Sequence, residues 1–457
     1  MRHTKLALAA MTLAVLAGCG GTDPAPGDQS TKVKYASQVS FGDSLSDVGT
    51  YNVGTVAALK GGKFTINGDN TAINATLTGK NWTELMAAQI GVAAPCPAVT
   101  GLDGDASKGF SVPVTAKAGC YSYAMGGARV TNPVGPGNKL AGSPLGALTI
   151  PVVTQIANHL KAVGGKFKGD ELVLVMAGGN DALFQLTVLA NAATKAGTDA
   201  AGPAFFASLI PQLAAGATNP QAAGAAITAA VQAATVRPGA TQTTITQAAI
   251  GTAAAQPGNS AVVANSATYI AKATADATAA GQAAGAAYAS ANGPALVTAM
   301  ATAGTDLVAL VKNQLLANGA NYVVVNNLPD IATTPSGRTK DASTRALIDA
   351  MVSAYNTALT NGLGGESKVV VVDVYAVSHD QATNPGPYGL TNVSEPACNL
   401  TDTTKNPIGS SLGCNGSNLV AGDVSHYSFA DDVHPTPYNN LLLARYVSKA
   451  LVTKGWL

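Results

Sequence analysis

Charged residues are scarce in this chain. Lysine, arginine, aspartate and glutamate make up 11% of its 457 residues, against 47% hydrophobic residues, and the formal net charge is +1. Nucleic acids and anionic surfaces attract proteins through clustered positive charge. The nearly neutral composition therefore gives no electrostatic reason to expect such a partner, and the length and hydrophobic content instead favour a large folded core.

The apolar run near the N-terminus is too short to span a bilayer as a helix. Leu6–Leu16 follows Arg2 and Lys5 and falls below the ~20 residues that a spanning helix needs. It ends in Leu-Ala-Gly-Cys at Cys19, which resembles a bacterial lipoprotein box, in which the cysteine is lipidated and becomes the first residue of the mature chain. An ordinary cleaved secretory peptide is the alternative.

Under the lipoprotein interpretation, residues 1–18 form a signal peptide and residues 19–36, rich in Gly, Pro, Asp and Thr, form a flexible tether. Gly20 and not aspartate follows the cysteine, and resemblance to the lipoprotein sorting rule then implies the outer membrane. The predicted location is the cell envelope, with the chain lipid-anchored and either periplasmic or surface-exposed.

Cysteine is rare beyond Cys19, with four further residues in the chain. An exported protein meets an oxidising compartment, which favours disulfide bonds. Pairing Cys96 with Cys120 and Cys398 with Cys414 is favoured over the two other pairings, because each bond then closes a short loop. Metal binding is the weaker alternative, because no Cys-x-x-Cys spacing occurs.

A predicted strand delivers a serine to the edge of a sheet. Val39 and Phe41 end a short apolar run, which gives way to Gly42, Asp43 and Ser44. Small polar residues after a buried strand lie at the carboxyl edge of the sheet, where α/β proteins bind ligands. Ser44 is therefore a candidate nucleophile, provided that the chain supplies a base, a group that orients the base, and oxyanion donors.

Further strands repeat this arrangement. Apolar runs at 171–176, 321–325 and 368–373 are typical of parallel strands covered on both faces, and residues 120–124 are a weaker candidate. The run at 171–176 leads into Gly-Gly-Asn-Asp at 178–181, and residues 120–124 lead into Met-Gly-Gly-Ala. Strands that alternate with helical segments predict an α/β fold with a parallel sheet.

Helix signals lie between these strands. Asn81 is a candidate N-cap and Gly91 a candidate stop for one helix, and residues 152–163 and 295–316 have helical spacing. From about 187 to 292 the sequence is rich in Ala, Gly, Thr and Gln, with weak periodicity. This stretch is interpreted as a helical insertion, either a cap beside the active site or a surface appendage without a catalytic role.

Beyond the N-terminal segment, four histidines are available as a base: His159, His379, His426 and His434. His159 is interpreted as a packing or surface residue of a helix, and His379 as a loop residue without supporting neighbours. His426 and His434 each follow an aspartate by three residues. That spacing can set a carboxylate against an imidazole nitrogen.

Context favours His434, with Asp431, over His426. Thr436 is a candidate cap and Pro437 a candidate first residue of a helix reaching Leu451. His434 therefore lies in a loop held against a rigid element. The aspartate and histidine at 423 and 426 have no such support.

One other serine matches a nucleophile motif. Ser411 lies at the centre of Gly-Ser-Ser-Leu-Gly at 409–413, but a nucleophile elbow needs a strand before it and a helix after it. Residues 401–408 instead read as a polar loop that contains proline. Ser411 is therefore rejected.

Taken in order, these blocks resemble the GDSL (SGNH) lipase and esterase family. They are Phe-Gly-Asp-Ser-Leu-Ser-Asp at 41–47, Ala-Met-Gly-Gly-Ala at 124–128, Gly-Gly-Asn-Asp at 178–181 and Asp-Asp-Val-His-Pro-Thr at 431–436. The chain departs from the family at Ser122, where asparagine is usual, and in the length of the alanine-rich stretch after Asp181.

The resemblance implies an α/β fold of flavodoxin-like type over residues 37–457: a three-layer α/β/α sandwich with a parallel sheet, the SGNH hydrolase fold, plus the alanine-rich helical insertion at about 187–292. It implies catalysis by Ser44, His434 and Asp431. The oxyanion hole would be formed by the backbone N–H groups of Ser44 and Gly127 and the side chain of Asn180. It implies no metal and no organic cofactor.

The predicted function is a serine carboxylic ester hydrolase, an esterase or lipase that acts through an acyl-enzyme on lipid-like or other acyl esters. Phospholipase, thioesterase, acyltransferase and carbohydrate deacetylase activities stay open on the same site. A non-catalytic surface binding lipoprotein on this scaffold is the alternative of a different class. The expected partners are an acyl ester and, through the lipid anchor, a membrane.

Overall fold

The computed structural model describes residues 32–457. The predicted signal peptide, the lipidation site Cys19 and most of the predicted tether lie outside the described residues. The strands are β1 (Ser37–Gly42), β2 (Val99–Asp103), β3 (Ser111–Ala116), β4 (Glu171–Met176), β5 (Tyr322–Asn326), β6 (Val369–Val372), β7 (Asn392–Pro396) and β8 (Tyr427–Phe429). The helices are α1 (Gly54–Ala58), α2 (Trp82–Gln89), α3 (Val152–Ala162), α4 (Gly179–Ala214), α5 (Pro220–Thr235), α6 (Gln242–Ala254), α7 (Val262–Leu310), α8 (Pro335–Arg338), α9 (Ala342–Leu363), α10 (Val374–Thr383) and α11 (Pro437–Lys454).

The central sheet has four parallel strands in the order β1-β4-β5-β6. Ser37 pairs with Glu171, Leu172 with Tyr322, and Val323 with Val369. The carboxyl ends of all four strands therefore lie at one edge of the sheet. The prediction of a mixed α/β fold with a parallel sheet is confirmed.

Both faces of this sheet are covered by helices. Val173 and Val175 of β4 are fully buried in a core that includes residues of α3, α7 and α9. Leu172 and Leu174 point the other way, into a core with α2 and α11. Because successive side chains of a strand face opposite ways, a strand covered on both faces is apolar throughout. This is why β4, β5 and β6 coincide with the uninterrupted apolar runs of the sequence.

The strand predicted over residues 120–124 is reduced to an edge segment. The Ser40 N–H donates to the Tyr121 carbonyl (3.1 Å), and the Tyr123 N–H donates to the Ser40 carbonyl (2.8 Å). Only the bridge between Ser40 and Ser122 is regular on this side of β1. The Ser122 N–H instead donates to the Cys96 carbonyl (3.2 Å), so the loop that carries Cys96 covers the outer edge.

The predicted ends of two helices are confirmed. Asn81 caps α2 by accepting from the N–H groups of Thr83 and Glu84, and Gly91 follows the helix with a φ of 72°. Thr436 caps α11 by accepting from the Asn439 N–H, with proline next in the chain. These caps fix the two helices that cover one face of the sheet.

Helices α4 to α7 connect β4 to β5 and include a separate apolar core. That core contains Phe205, Leu209 and Ile227. Where α4 and α7 cross, a Cβ on Gly281 would lie 2.9 Å from the Gly197 carbonyl oxygen, so glycine is needed for this close approach. Alanine has the highest helix propensity, and helices form here although the sequence lacks a strong periodicity.

One helical stretch, Val262–Asn318, is long and apolar enough to cross a membrane by length and composition alone. Its C-terminal half packs on the sheet: Met300 and Leu307 are fully buried. Of the apolar window that passes this length and composition test, 33% is buried inside the protein.

The four cysteines among the described residues are paired. Cys96 is bonded to Cys120, with 5.0 Å between the Cα atoms, and Cys398 to Cys414, with 6.0 Å. This is the predicted pairing. The first bond fixes the edge segment beside β1, and the second closes the loop that contains Ser411.

Candidate active site

Ser44 lies directly after β1, in a short 3-10 turn over Ser44–Ser46. The turn is capped by Asp43, whose Oδ1 accepts from the Leu45 N–H (3.0 Å). At Gly42 the chain presses against β4: φ is 145°, and a Cβ there would lie 2.0 Å from the Met176 carbonyl oxygen. Only glycine allows the strand to turn at this point and present Ser44 at the edge of the sheet.

The side chain of Gln155, on α3, makes hydrogen bonds to both backbone polar groups of Gly42. The Gly42 N–H donates to Gln155 Oε1, and Gln155 Nε2 donates to the Gly42 carbonyl, both at 2.8 Å. The glutamine side chain is almost completely buried. The position of Ser44 therefore depends on a residue that the sequence analysis did not identify.

His434 connects Ser44 to Asp431. Its Nε2 lies 2.8 Å from Ser44 Oγ, and its Nδ1 lies 2.8 Å from Asp431 Oδ1. The loop is held by the Ala430 N–H, which donates to the His434 carbonyl (2.7 Å), and by the capped start of α11. The three residues predicted to form a catalytic triad are thus within hydrogen-bonding distance of one another, in the order that the mechanism needs.

The charges of this triad support each other. Burial raises the pKa of Asp431, but the adjacent His434 and several hydrogen bonds outweigh burial and hold that pKa well below its usual range. Burial lowers the pKa of His434, but the Asp431 carboxylate outweighs burial and holds it above 6.5. Burial also raises the pKa of Asp43, next to the serine, to about 7. Asp431 is therefore ionised wherever His434 titrates.

The rejected Ser411 lies behind the triad. Its backbone N–H donates to Asp431 Oδ2 (2.9 Å), while the N–H groups of Val433 and His434 donate to Oδ1. Ser411 itself is fully buried. It therefore orients the carboxylate through its backbone, and the hydroxyl is not placed to meet a substrate.

Gly127 lies on a loop that a hydrogen bond joins to the helix carrying Asn180. Asn180 is in the first turn of α4, and its Nδ2 donates to the Ala128 carbonyl (2.9 Å). That bond occupies one of the two N–H groups of the amide. Gly127 has a φ of 79°, and a Cβ there would lie 2.2 Å from the Pro136 carbonyl oxygen. The residue at 127 must therefore be glycine for the loop to keep this shape.

Asp47 ties the Gly127 loop to the serine turn. Its Oδ1 accepts from the N–H groups of Gly49 and Thr50, and its Oδ2 accepts from the Gly126 N–H (3.0 Å). Asp47 is fully buried, and burial raises its pKa to about 6. The aspartate that ends the Gly-Asp-Ser-Leu-Ser-Asp block is thus structural, because its hydrogen bonds hold the serine turn and the Gly127 loop together.

A buried ion pair fixes the far end of the same loop. Arg129 Nε donates to Asp181 Oδ1 (2.9 Å), and the Val130 N–H donates to Asp181 Oδ2 (3.0 Å). The guanidinium also lies 5.0 Å from the centre of the Phe184 ring. Asp181 directly follows Asn180, and Arg129 lies two residues after Gly127. The ion pair therefore fixes the positions of these two predicted oxyanion donors relative to each other.

The remaining histidines lie apart from the triad. The prediction that His379 lies in a loop is wrong. His379 lies in α10, because Asp373 caps a helix immediately after β6. Its Nδ1 lies 2.7 Å from Asp330 Oδ2. His159 is buried among aromatic rings, which agrees with the packing interpretation. In the alternative pair, His426 with Asp423, the aspartate side chain accepts a hydrogen bond from the Ser425 N–H.

A small cavity of about 80 Å³ adjoins the triad. It is lined by Leu45, next to the serine, and by Val433 and Pro435 on either side of His434. The Phe64 ring centre lies 4.8 Å from the His434 ring centre. Among residues 32–457, no group of three or more His, Cys, Asp and Glu side chains could hold a metal ion.

Part of the chain is similar to known proteins, and that part includes two residues of the triad. The model of the family described as GDSL-like Lipase/Acylhydrolase matches residues 294–447, a range that includes Asp431 and His434. The GDSL esterase/lipase APG of Arabidopsis thaliana is 29% identical over 156 residues, which cover 31% of this chain and 41% of the plant protein. The chain thus spans less than half the length of this relative. Through residues 294–447 the chain is similar to the GDSL-like lipases and acylhydrolases.

Proposed function

We propose that this protein is a serine carboxylic ester hydrolase that works through an acyl-enzyme on Ser44. The observation that carries the proposal is the continuous line of hydrogen bonds from Ser44 Oγ through His434 to Asp431, with 2.8 Å at each step. A serine hydroxyl is a weak nucleophile at neutral pH, and this arrangement supplies the base that it needs. The similarity to GDSL-like lipases and acylhydrolases supports an ester substrate.

In the first half of the reaction, Ser44 Oγ attacks the carbonyl carbon while His434 Nε2 takes the hydroxyl proton. Asp431 keeps the imidazole in the correct tautomer and stabilises the imidazolium without taking up the proton. His434 then gives the proton to the departing alcohol oxygen as the ester C–O bond breaks. In the second half, His434 takes a proton from water, which attacks the acyl carbon. The bond to Ser44 Oγ then breaks as His434 returns the proton to that oxygen, which releases the acid and regenerates Ser44.

The negative charge on the tetrahedral intermediate is stabilised by the backbone N–H groups of Ser44 and Gly127 and by the Asn180 side chain. The second N–H of the Asn180 amide is available because the Ala128 carbonyl takes only the first. Loss of one such donor typically costs about 3 kcal/mol of transition-state stabilisation. Phospholipase, thioesterase, acyltransferase and deacetylase reactions would use the same groups.

The test is hydrolysis of chromogenic acyl esters with two to sixteen acyl carbons by the chain without residues 1–19. We expect turnover by the parent protein and its loss in Ser44→Ala, whereas Ser411→Ala keeps activity within a few fold because its contribution is a backbone N–H. Full activity of Ser44→Ala would refute the mechanism. No turnover by any variant would favour a specialised acyl substrate first and the binding-lipoprotein alternative second.

We also propose that residues 37–457 form one hydrolase domain of flavodoxin-like type with residues 187–292 as an insertion. With the edge segment at 120–125 placed beside β1, the strands follow the flavodoxin-like order 2-1-3-4-5. The core of the helical connection is separate from the cores on the sheet. Replacing 187–292 with a short linker should leave a folded protein, and its failure to fold would contradict the insertion.

The N-terminal segment suggests a lipid anchor at Cys19 and an outer-membrane location, in the form of a bacterial lipoprotein. The full-length chain should then fractionate with outer membranes, and Cys19→Ser should be released in soluble form. A Cys19→Ser protein that stays with membranes would contradict the anchor.

A further inference from the structure

A large apolar groove lies between the helical connection and the segment that follows β5. Its volume is about 1100 Å³, and α4 and α7 form one wall while residues 331–350 form the other. Leu183, Leu186 and Leu347 are among the partly buried side chains that line it. Binding sites for small molecules are typically about 300–1,000 Å³, so this groove has room for an extended ligand.

Both walls of the groove are joined to the candidate active site. On α4, Leu183 follows Asn180 by three residues and so lies on nearly the same face, about 4.5 Å further along the axis. On the opposite wall, the Ser336 N–H donates to the Asp432 carbonyl (2.9 Å), and Asp432 directly follows the triad aspartate. The groove therefore begins within about one helical turn of Asn180.

The chemistry of the lining selects an apolar chain. Small residues of α7, among them Gly285, Ala289 and Gly293, leave a slot facing the leucines. At Gly293 the two walls meet, because a Cβ there would be in van der Waals contact with Leu347 (3.4 Å); the room for a chain lies along the rest of the groove. The two charged residues that border the groove are exposed, and Asp341 is already engaged as the N-cap of α9. Six hydroxyl residues also line the groove, and four of them, Thr187, Thr334, Ser343 and Thr344, already donate to other groups of the protein. The leucines and the small residues of α7 leave an apolar surface that suits a hydrocarbon chain.

The reaction geometry assigns the acyl part of the substrate to this groove. The leaving alcohol oxygen must lie close to His434 Nε2, which protonates it, and the carbonyl oxygen must face Asn180. The remaining substituent of the carbonyl carbon, the acyl chain, then points away from the imidazole and toward Leu183. The cavity lined by Val433 and Pro435, on either side of His434, has a volume of about 80 Å³, which is much smaller than the groove.

We propose that the groove between α4, α7 and residues 331–350 binds the long acyl chain of the ester that Ser44 hydrolyses. The inference rests on the proposed hydrolase function for the direction of the chain, but chain binding itself does not require turnover. The substrate class is accordingly an ester of a long-chain fatty acid with a compact alcohol portion at the reacting end.

Ala289→Phe fills the groove, because Ala289 lines it and is partly exposed. Ala287→Phe is the matched control: Ala287 is two residues away on the same helix, exposed, and not part of the lining. The first readout is kcat/KM for nitrophenyl esters from two to sixteen acyl carbons, compared with acetates of linear alcohols of the same lengths. The second is hexadecanoate binding by calorimetry, measured in the Ser44→Ala background.

We expect Ala289→Phe to lower kcat/KM for the longest acyl esters by about tenfold or more. For two- and four-carbon esters, kcat/KM should stay within about twofold of the parent value. The affinity for hexadecanoate should fall by about as much as kcat/KM for the longest esters. Ala287→Phe should do none of this. An unchanged length profile with unchanged binding would overturn the inference, and so would a selective loss on long alkyl acetates, which would place the alcohol chain in the groove. If no ester is turned over but Ala289→Phe, and not Ala287→Phe, weakens hexadecanoate binding, the groove is a binding site for an acyl chain and the hydrolase proposal is wrong.

Discussion

Gln155 makes hydrogen bonds to both the N–H and the C=O of Gly42, the residue two positions before Ser44. Its amide accepts from the Gly42 N–H and donates to the Gly42 carbonyl, both at 2.8 Å, and it also donates to the Ile150 carbonyl. A glutamine amide has donors and an acceptor in one plane, so it can satisfy the N–H and the C=O of one buried residue at once. No apolar side chain of similar size can do so.

Gln155→Leu should therefore destabilise the fold by about 1–3 kcal/mol, because it leaves buried polar groups of Gly42 and Ile150 without their partners. It should also lower kcat more than it raises KM, because the turn that carries Ser44 loses its support. Urea unfolding and steady-state kinetics measure the two effects. Asn158→Leu, an exposed change on the same helix, is the control. If Gln155→Leu matched that control in both assays, the support assigned to Gln155 would be wrong.

The pH dependence of activity should follow His434, because only the neutral imidazole can take the proton from Ser44. Its pKa lies above 6.5, because the Asp431 carboxylate outweighs the effect of burial. kcat/KM should therefore rise as the pH increases through that raised value. In Asp431→Asn the charge that raises the pKa is gone, so the acid limb should move to lower pH while kcat falls by about 10³–10⁴.

Asp43 needs a separate control in this experiment, since burial raises its pKa to about 7 and its titration falls in the same range. Asp43→Asn keeps the group that accepts from the Leu45 N–H but cannot titrate. If the acid limb vanished in Asp43→Asn and stayed in place in Asp431→Asn, the limb would belong to Asp43.

Sequence reasoning located the candidate site where local signals were strong. Ser44 and Asn180 lie two and four residues beyond the ends of β1 and β4, and His434 precedes a capped helix, so the carboxyl edge of one parallel sheet could bring them together. His379 was misplaced because its helix begins at Asp373 without the loop that usually follows a strand. Gln155 could not be found at all: its partners are backbone groups that are 113 residues away along the chain, and a lone glutamine on an amphipathic helix resembles a surface residue.

The ion pair between Arg129 and Asp181 should contribute strongly to stability only as a pair. Both side chains are nearly buried, with 11% and 4% of their surface exposed. Arg129→Met leaves the Asp181 carboxylate without its counter-ion, and removal of one partner of a buried pair typically costs about 3–5 kcal/mol. In the Arg129→Met, Asp181→Asn double variant no charge remains, so the further loss on adding Asp181→Asn should be small or negative.

A double-mutant cycle from urea unfolding measures this coupling. Lys195→Met offers a contrast, since its ion pair with Asp199 is exposed and exposed pairs contribute little. Each Arg129 variant should also lose kcat through the Gly127 loop. Additive effects of Arg129→Met and Asp181→Asn would contradict the coupled pair.

His159 makes the fold sensitive to acid. It is 1% exposed, neither ring nitrogen has a hydrogen-bond partner among the described residues, and its ring lies within 6 Å of those of Phe41, Tyr121, Tyr123 and Phe167. Burial lowers its pKa from 6.5 to about 4. Because the unfolded chain takes up a proton between these two values and the folded protein does not, stability is full above pH 6.5 and falls as the pH drops toward 4.

His159→Phe removes this proton uptake. Between pH 8 and pH 5 the wild-type protein should lose about 2 kcal/mol of unfolding free energy that the variant does not lose. The larger ring can cost stability at every pH through overpacking, so the informative quantity is the change in the difference between the two proteins. The contributions of Asp431 and His434 to the pH dependence are common to both and cancel. Urea unfolding curves at the two pH values give the result, and parallel losses in the two proteins would mean that His159 is protonated in the fold without penalty.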